Sequence, residues 1–220
     1  MPRAPQRGLT PSGLVLVDKP AGPSSFAIVR GLREKTGART GHAGTLDPFA
    51  TGLLLVLLGA FTKQAQRFVG LTKEYETEVD LSATTSTGDP EGEIVEEHKP
   101  PAQDLLHERI AALRGEVDLQ IPAASAIKIG GERAYKLMRR GVEVDMPFRH
   151  TTVHELEVLD YDGRIARLRT HLSSGGYVRS LAEALGGHCV SLRRTSVGPF
   201  RIEDADEERV IAPEEALAKL

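Results

Sequence analysis

Short apolar runs divided by polar turns set the pattern of the chain. Leu14 to Val17 is such a run, closed by Asp18-Lys19-Pro20, and predicts a strand and a turn. Ser24 and Ser25 offer an N-cap for a helix through about Lys35, with Phe26, Val29 and Leu32 on one face and Gly37 as its stop. Leu53 to Leu58 is the longest apolar block and suits a buried strand; Lys63 to Phe68 fits a helical turn or two. Tyr75 to Ala83 alternates and predicts a half-buried strand, followed by a loop over Thr87 to Gly92. Asp104 to Leu113 is an amphipathic helix with Leu105, Leu106, Ile110 and Leu113 inward, and Glu132 to Arg140 predicts another between Gly131 and Gly141. Val153 to Tyr161 and Ile165 to Leu172 alternate on either side of Asp162-Gly163, a hairpin signal. Tyr177 to Leu185 is helical up to Gly186-Gly187, Val190 to Val197 returns to a strand, and Ala212-Pro213-Glu214-Glu215 opens a last short helix. Many strands with interspersed helices and no regular βαβ alternation indicate an α+β fold with a largely antiparallel sheet.

Composition narrows the class. The 220 residues, 40% of them hydrophobic, suffice for one large domain or two small ones with a substantial core. No apolar run approaches the roughly 18 residues of a membrane-spanning helix, so no membrane partner is expected. The first ten residues lack the apolar centre of a secretory signal. Cys189 is the single cysteine, so there is no intrachain disulfide and no cysteine-based zinc site, and no two histidines have metal-ligand spacing; a cytoplasmic protein without a metal is expected. The net charge of −3 does not advertise nucleic-acid binding, but its distribution is uneven. Residues 1–40 carry Arg3, Arg7, Lys19, Arg30, Arg33, Lys35 and Arg39 against Asp18 and Glu34. Residues 203–220 reverse this with seven acids against Arg209 and Lys219. One basic face can bind a polyanion while the net charge stays negative.

The most informative stretch is Gly41-His42-Ala43-Gly44-Thr45-Leu46-Asp47-Pro48-Phe49-Ala50-Thr51-Gly52. It sets one carboxylate among small residues and a rigid proline, just before the apolar block. By spacing alone Asp47 is a turn former, because Asp-Pro is common in turns. Yet the segment resembles the catalytic motif of the TruB-type tRNA pseudouridine synthases, and it does not stand alone. Asp18-Lys19-Pro20-Ala21-Gly22-Pro23-Ser24-Ser25 resembles the opening DKP-x-G-x-[ST]S element of that family. Lys73-Glu74-Tyr75 is similar to its second motif, and Pro122 to Lys128, with Gly131 and Tyr135, to its central P-x-x-SA-x-K segment. Gly176 to Leu181 and Leu192-Arg193-Arg194 resemble the last two. The matches run in family order from about residue 13 to residue 201.

The resemblance implies the pseudouridine-synthase fold, a central mixed sheet flanked by helices and loops. It also implies isomerisation of uridine 55 in the T arm of tRNA, without cofactor. That reaction needs one well-placed carboxylate, and the family pattern assigns it to Asp47. Attack at C6 of the base, attack at C1′ of the ribose and removal of the 2′ proton are all compatible with the sequence. By the same resemblance Arg179 pairs with the catalytic carboxylate, Tyr75 stacks under the target base, Tyr177 and Leu192 line the uracil pocket, and His42 fills the space the extruded base leaves. Arg179 follows Tyr177 by two positions, so the two can share a site only if the helix begins at about Tyr177. Lys19, Lys63, Lys128, Arg193 and Arg194 are candidate RNA-backbone contacts. One departure is Ser174, where the family often has lysine.

A flexible lead over 1–12, a catalytic domain over 13–201 and a short acidic tail over 202–220 complete the expected organisation. The tail is too short for the RNA-binding PUA domain many relatives carry. A monomer acting on a T-arm stem-loop is expected. A C5 methyltransferase would need a cysteine nucleophile and a methyl-donor loop; Cys189 opens an apolar strand and no such loop is evident. A non-catalytic tRNA-binding or RNA-folding module is the alternative, and it has no need of a buried acid.

Overall fold

The computed structural model describes residues 11–220. Most of the expected N-terminal lead therefore lies outside the described residues, Arg3 and Arg7 with it. The chain forms two compact units, one running to Leu71 and resuming at Arg194–Leu220, the other spanning Thr72–Arg193.

The first unit begins with β1 (Gly13–Lys19), α1 (Ser25–Thr36), β2 (Thr40–His42), β3 (Thr51–Leu58) and α2 (Ala65–Val69), the last preceded by a 3-10 turn over Gly59–Gln64. The second holds β4 (Lys73–Asp80), β5 (Ala83–Thr85), β6 (Ile94–Glu97), α3 (Gln103–Ala112), β7 (Gly115–Gln120), β8 (Lys128–Ile129), β9 (Glu132–Arg133), α4 (Ala134–Arg139), β10 (Phe148–Tyr161), β11 (Ile165–Leu172) and α5 (Val178–Ala184). The unit boundary falls inside β12 (His188–Val197), and β13 (Phe200–Arg201), β14 (Asp206–Ile211) and α6 (Pro213–Ala218) belong to the first unit.

In the first unit β1 pairs antiparallel with β3 from Gly13↔Leu58 to Lys19↔Gly52, and β2 pairs with the end of β3 at Thr40↔Leu58 and His42↔Val56. β3 is buried from Gly52 to Leu58, as its unbroken apolar run requires. Leu14, Leu16, Leu53, Leu55, Leu57, Phe61, Phe68 and Phe200 form the core. The acidic C-terminal stretch has no alternation to announce a strand, yet Asp206–Ile211 pairs with β1 through Leu14↔Ile211 and Leu16↔Asp206. Its charged side chains stay exposed, so backbone hydrogen bonds make this strand and its side chains do not. No helix among the described residues is long and apolar enough to cross a membrane.

The expected cap and stop of α1 hold. The Ser24 side chain accepts from the Ala27 amide, and Gly37 closes the helix with φ 65° in the left-handed region. Its buried face does not match expectation: Ser25, Val29 and Leu32 face inward and Phe26 is 69% exposed. Ser25 is drawn in by its hydrogen bonds to Leu46, which turns Phe26, 100° further round, towards solvent.

The second unit is built on β4–β11–β10–β7, all antiparallel, with Tyr75↔Thr170, Leu156↔Thr170 and Phe148↔Gln120 among the register pairs. The β10–β11 hairpin turns where Asp162-Gly163 predicted. β4 ends at Asp80, short of the expected Ala83, because the Asp80 carboxylate accepts from the Ser82 amide and hydroxyl at 2.8 and 2.6 Å and bends the chain. The helix expected from Glu132 starts at Ala134, since Lys128–Ile129 and Glu132–Arg133 first pair as a hairpin around two positive-φ glycines. On α3, Leu106 and Ile110 are buried and Leu105 is 42% exposed, so the apolar arc is narrower than expected.

Asp80 also anchors this unit electrostatically. Burial alone would raise its pKa, but Arg164, donating through Nε at 3.1 Å and Nη2 at 2.7 Å, and the Ser82 donors hold it down to about 2. A carboxylate depressed in the folded state stabilises above its unfolded pKa, and that contribution is lost as pH falls from about 4 to about 2. Arg164 is largely solvent-exposed, so screening reduces the effect to about 1–2 kcal/mol at neutral pH. Asp80→Asn is expected to lower urea stability by that amount at pH 7 and to flatten its decline between pH 4 and pH 2. An unchanged acid profile would remove this role.

Candidate active site

The Asp47 loop joins β2 to β3, and its backbone is held almost residue by residue. The Ser25 hydroxyl accepts from the Leu46 amide at 2.8 Å and donates to the Leu46 carbonyl at 2.9 Å. The Gly22 amide donates to the Pro48 carbonyl at 2.8 Å, and the Ala50 amide to that of Asp47 at 3.2 Å. The Lys19 ammonium donates to the carbonyls of Pro20, Pro48 and Ala50 at 2.8, 3.1 and 2.6 Å. The Arg194 guanidinium donates to Leu53, Thr45 and Gly44 carbonyls at 2.7, 3.4 and 3.2 Å. Asp47 itself is half-buried. A carboxylate on such a loop cannot drift with its backbone.

This geometry corrects the expectation that Lys19 and Arg194 meet the RNA backbone. Lys19 is 0% and Arg194 1% exposed. All three ammonium protons of Lys19 already have carbonyl acceptors. Burial pushes the Lys19 pKa below its ordinary value; the charge of Asp47 opposes that shift and the charge of Arg194 adds to it. The two buried cations and the Asp47 carboxylate thus form one electrostatic group within this unit.

His42 ends β2, five residues before Asp47. Burial, with the Arg194 charge as a second cause, lowers its pKa and keeps the ring neutral at pH 7. Its Nδ1 is buried with no hydrogen-bond partner among the described residues. Lys63 is exposed on the 3-10 turn, open to a phosphate.

The remaining candidates belong to the second unit. Tyr75 lies on the buried face of β4 with Thr77 and Val79. Tyr177 is the extended N-cap of α5, whose first residue is Val178. The helix therefore begins where Tyr177 and Arg179 need it to begin, and Tyr177 packs against the Ile121, Ala134 and Met146 cluster. Leu192 is buried on β12 and Arg193 is half-buried. Arg179 is 2% exposed: Nη1 donates to the Thr87 carbonyl at 2.8 Å and lies 3.4 Å from the Asp89 carboxylate, while Nη2 donates to the Ala124 carbonyl at 3.0 Å. Asp89 also accepts from the Thr87 hydroxyl at 2.6 Å and the Glu91 amide at 3.0 Å. The sequence reading passed over Asp89 because Asp-Pro in a Gly-rich loop is an ordinary turn signal.

Lys128 is exposed on β8 and heads a cluster the sequence reading also missed. Arg133, Lys136, Arg139 and Arg140 follow it, with Glu132 as the one acid between 128 and 140, and all four are exposed. Arg140 is bridged to Glu132 at 2.8 Å and Arg139 lies over the Tyr135 ring at 5.6 Å. The density of cations along this stretch was the available signal.

The fold is that of the pseudouridine synthases. A solved pseudouridylate synthase matches 96% of this chain and 75% of its own, with a TM-score of 0.54 at 18% identity. A chain of a Cbf5–Nop10–Gar1 complex matches with a TM-score of 0.65 at 28% identity, over 86% of this chain and 50% of that one. A chain of an H/ACA RNP bound to a substrate RNA containing 2′-deoxyuridine gives 0.63 at 26%, over 90% and 50%. The present chain thus spans half the length of each of these last two. Residues 31–178 match the family described as TruB family pseudouridylate synthase (N terminal domain). tRNA pseudouridine synthase B of Leifsonia xyli subsp. xyli is 43% identical over 227 residues, 96% of this chain and 75% of that protein. The Corynebacterium glutamicum protein of the same name is 46% identical over 208 residues, 88% and 69%. The chain belongs to the TruB family of pseudouridylate synthases, a family of isomerases.

Proposed function

We propose that this chain isomerises uridine 55 to pseudouridine in the T arm of tRNA, with Asp47 as the catalytic carboxylate. The observation that carries this reading is the immobilised loop: buried Lys19, Ser25 and Arg194 fix the backbone on both sides of Asp47. Such preorganisation serves a group that must meet a reacting atom. A module that only binds or refolds RNA has no use for it. The N1–C1′ bond of the nucleotide breaks, the uracil turns, and a C5–C1′ bond forms; the proton leaves C5 and N1 regains one, so mass is unchanged. Asp47 supplies the base or nucleophile at the sugar or uracil.

The other roles follow the family pattern. Tyr75 stacks under the extruded base, Tyr177 and Leu192 line the uracil pocket, and Arg179 supplies positive charge for the carboxylate. Neutral His42, with its unpartnered Nδ1, is suited to fill the vacated stack. Extrusion costs roughly a few kcal/mol, offset by these contacts. No cofactor enters the reaction, and the chain acts as a monomer in the cytoplasm.

A T-arm stem-loop carrying tritium at C5 of the target uridine should release that tritium, and carbodiimide labelling should mark the product at that one position. Intact uridine after prolonged incubation would exclude the reading. Lys128 and Lys136 are exposed and suited to phosphates. The double variant Lys128→Ala with Lys136→Ala is expected to raise KM for the stem-loop with little change in kcat, and to reduce the salt slope of binding by about 1 per cation lost. An unchanged slope would remove both from the RNA-binding set.

A further inference from the structure

We propose that Arg194 is a positioning residue for the isomerisation: it locks the Asp47 loop at both ends and so sets the aim of the Asp47 carboxylate. The proposal rests on the reading of Asp47 as the catalytic group.

Arg194 grips the loop twice. Its side chain spans the carbonyls of Gly44 and Thr45 on the near side of Asp47 and that of Leu53 on the far side. Its main chain packs against Gly52, which has φ 101° and where an added Cβ would collide with the Arg194 backbone nitrogen and carbonyl. The segment from Gly44 to Leu53 is thereby closed at its two ends by one residue from a distant part of the sequence. Lys19 and Ser25 hold only its middle, at Leu46, Pro48 and Ala50.

A guanidinium buried to 1% exposure is an expensive way to fill space. An apolar residue of similar volume would pack as well. What the guanidinium adds is a rigid planar fork whose separated nitrogens reach the Gly44, Thr45 and Leu53 carbonyls at the two ends of the loop, whereas an ammonium, as at Lys19, gathers its acceptors around a single nitrogen. Its charge also stands beside Lys19 and His42, lowering the pKa of each. Both effects act on the residues around Asp47, and neither needs contact with RNA. Arg194 therefore affects turnover rather than affinity.

The test uses the whole 220-residue chain and a T-arm stem-loop tritiated at C5 of the target uridine. Arg194→Lys keeps the charge and stem but loses the fork; Arg194→Met keeps the stem alone. Because a displacement of about 1 Å can cost on the order of a hundredfold in rate, Arg194→Lys is expected to lower kcat by about 10- to 100-fold with KM within about threefold. Amide hydrogen exchange should speed up at Leu46 and Ala50 while β1 and α1 keep their protection. If Arg194→Met fails to fold, Arg194→Lys carries the test. A folded Arg194→Lys with unchanged kcat, or with raised KM and unchanged kcat, would overturn the positioning role. Asp47→Asn is run beside them. Turnover by Asp47→Asn would remove the catalytic reading and this inference with it; an inactive Asp47→Asn beside a fully active Arg194→Lys would remove the inference alone.

Discussion

Asp47→Asn is expected to abolish isomerisation while leaving stem-loop affinity within about threefold. Asparagine matches aspartate in size, so the loop backbone should keep its hydrogen bonds with Ser25 at Leu46, with Lys19 at Pro48 and Ala50, and with Arg194 at Gly44 and Thr45. What disappears is the negative charge and with it the nucleophile or base, a loss of several orders of magnitude in kcat. The substitution has an electrostatic side effect with a definite sign. The charge of Asp47 raises the pKa of buried Lys19 against desolvation. Removing it should lower that pKa further; a lysine depressed in the folded state destabilises the fold while it is protonated, so the stability cost of the substitution should be largest at neutral pH and shrink as pH rises towards the unfolded lysine value. Tritium release, stem-loop binding and a urea titration at pH 7 and pH 10 separate these effects. Measurable turnover by the variant would end the assignment.

Arg179→Ala is expected to be costly to fold and to turnover together. The residue closes a buried knot in the second unit, with the Thr87 and Ala124 carbonyls and the Asp89 carboxylate as partners. Removing one member of a buried ion pair leaves an uncompensated charge, a loss of about 3–5 kcal/mol. That is a large share of the roughly 5–15 kcal/mol that holds an ordinary domain together. Glu183, whose carboxyl burial already pushes up and the Arg179 charge pulls back, should then hold its proton to higher pH. Arg179→Lys is expected to recover part of the stability, because it restores a charge near Asp89 but cannot serve both carbonyls. Asp89→Asn should weaken the same knot. If Arg179→Ala unfolded in urea at the parent midpoint, the anchoring role would be wrong.

Local signals in the sequence were decisive wherever one residue or one period sufficed. Ser24 and Gly37 bounded α1, Asp162-Gly163 located the β10–β11 turn, and the unbroken run Leu53 to Leu58 announced a strand buried on both faces. The Gly-rich loop with Asp47 at its centre, together with five further motifs in family order, pointed to the chemistry. Those features are written in consecutive residues, so no distant partner is needed to interpret them.

Tertiary structure alone decided what depended on a distant partner. Phe26 and Leu105 continue apolar stripes and are nevertheless exposed, because which arc of a short helix is buried depends on the surface it meets. Asp206–Ile211 is a strand because β1 offers it hydrogen bonds, and its charged side chains gave no hint of that. Lys19 and Arg194 are the sharpest case. A cation in a sequence motif suggests a phosphate, and only the fold shows that both side chains turn inward to backbone carbonyls around Asp47. Asp89 likewise becomes the partner of Arg179 only when a loop and a helix 90 positions along the chain are brought together. Periodicity and turn chemistry are properties of neighbouring residues, whereas burial, ion pairing and the rigidity of a site arise between residues that chain order keeps apart.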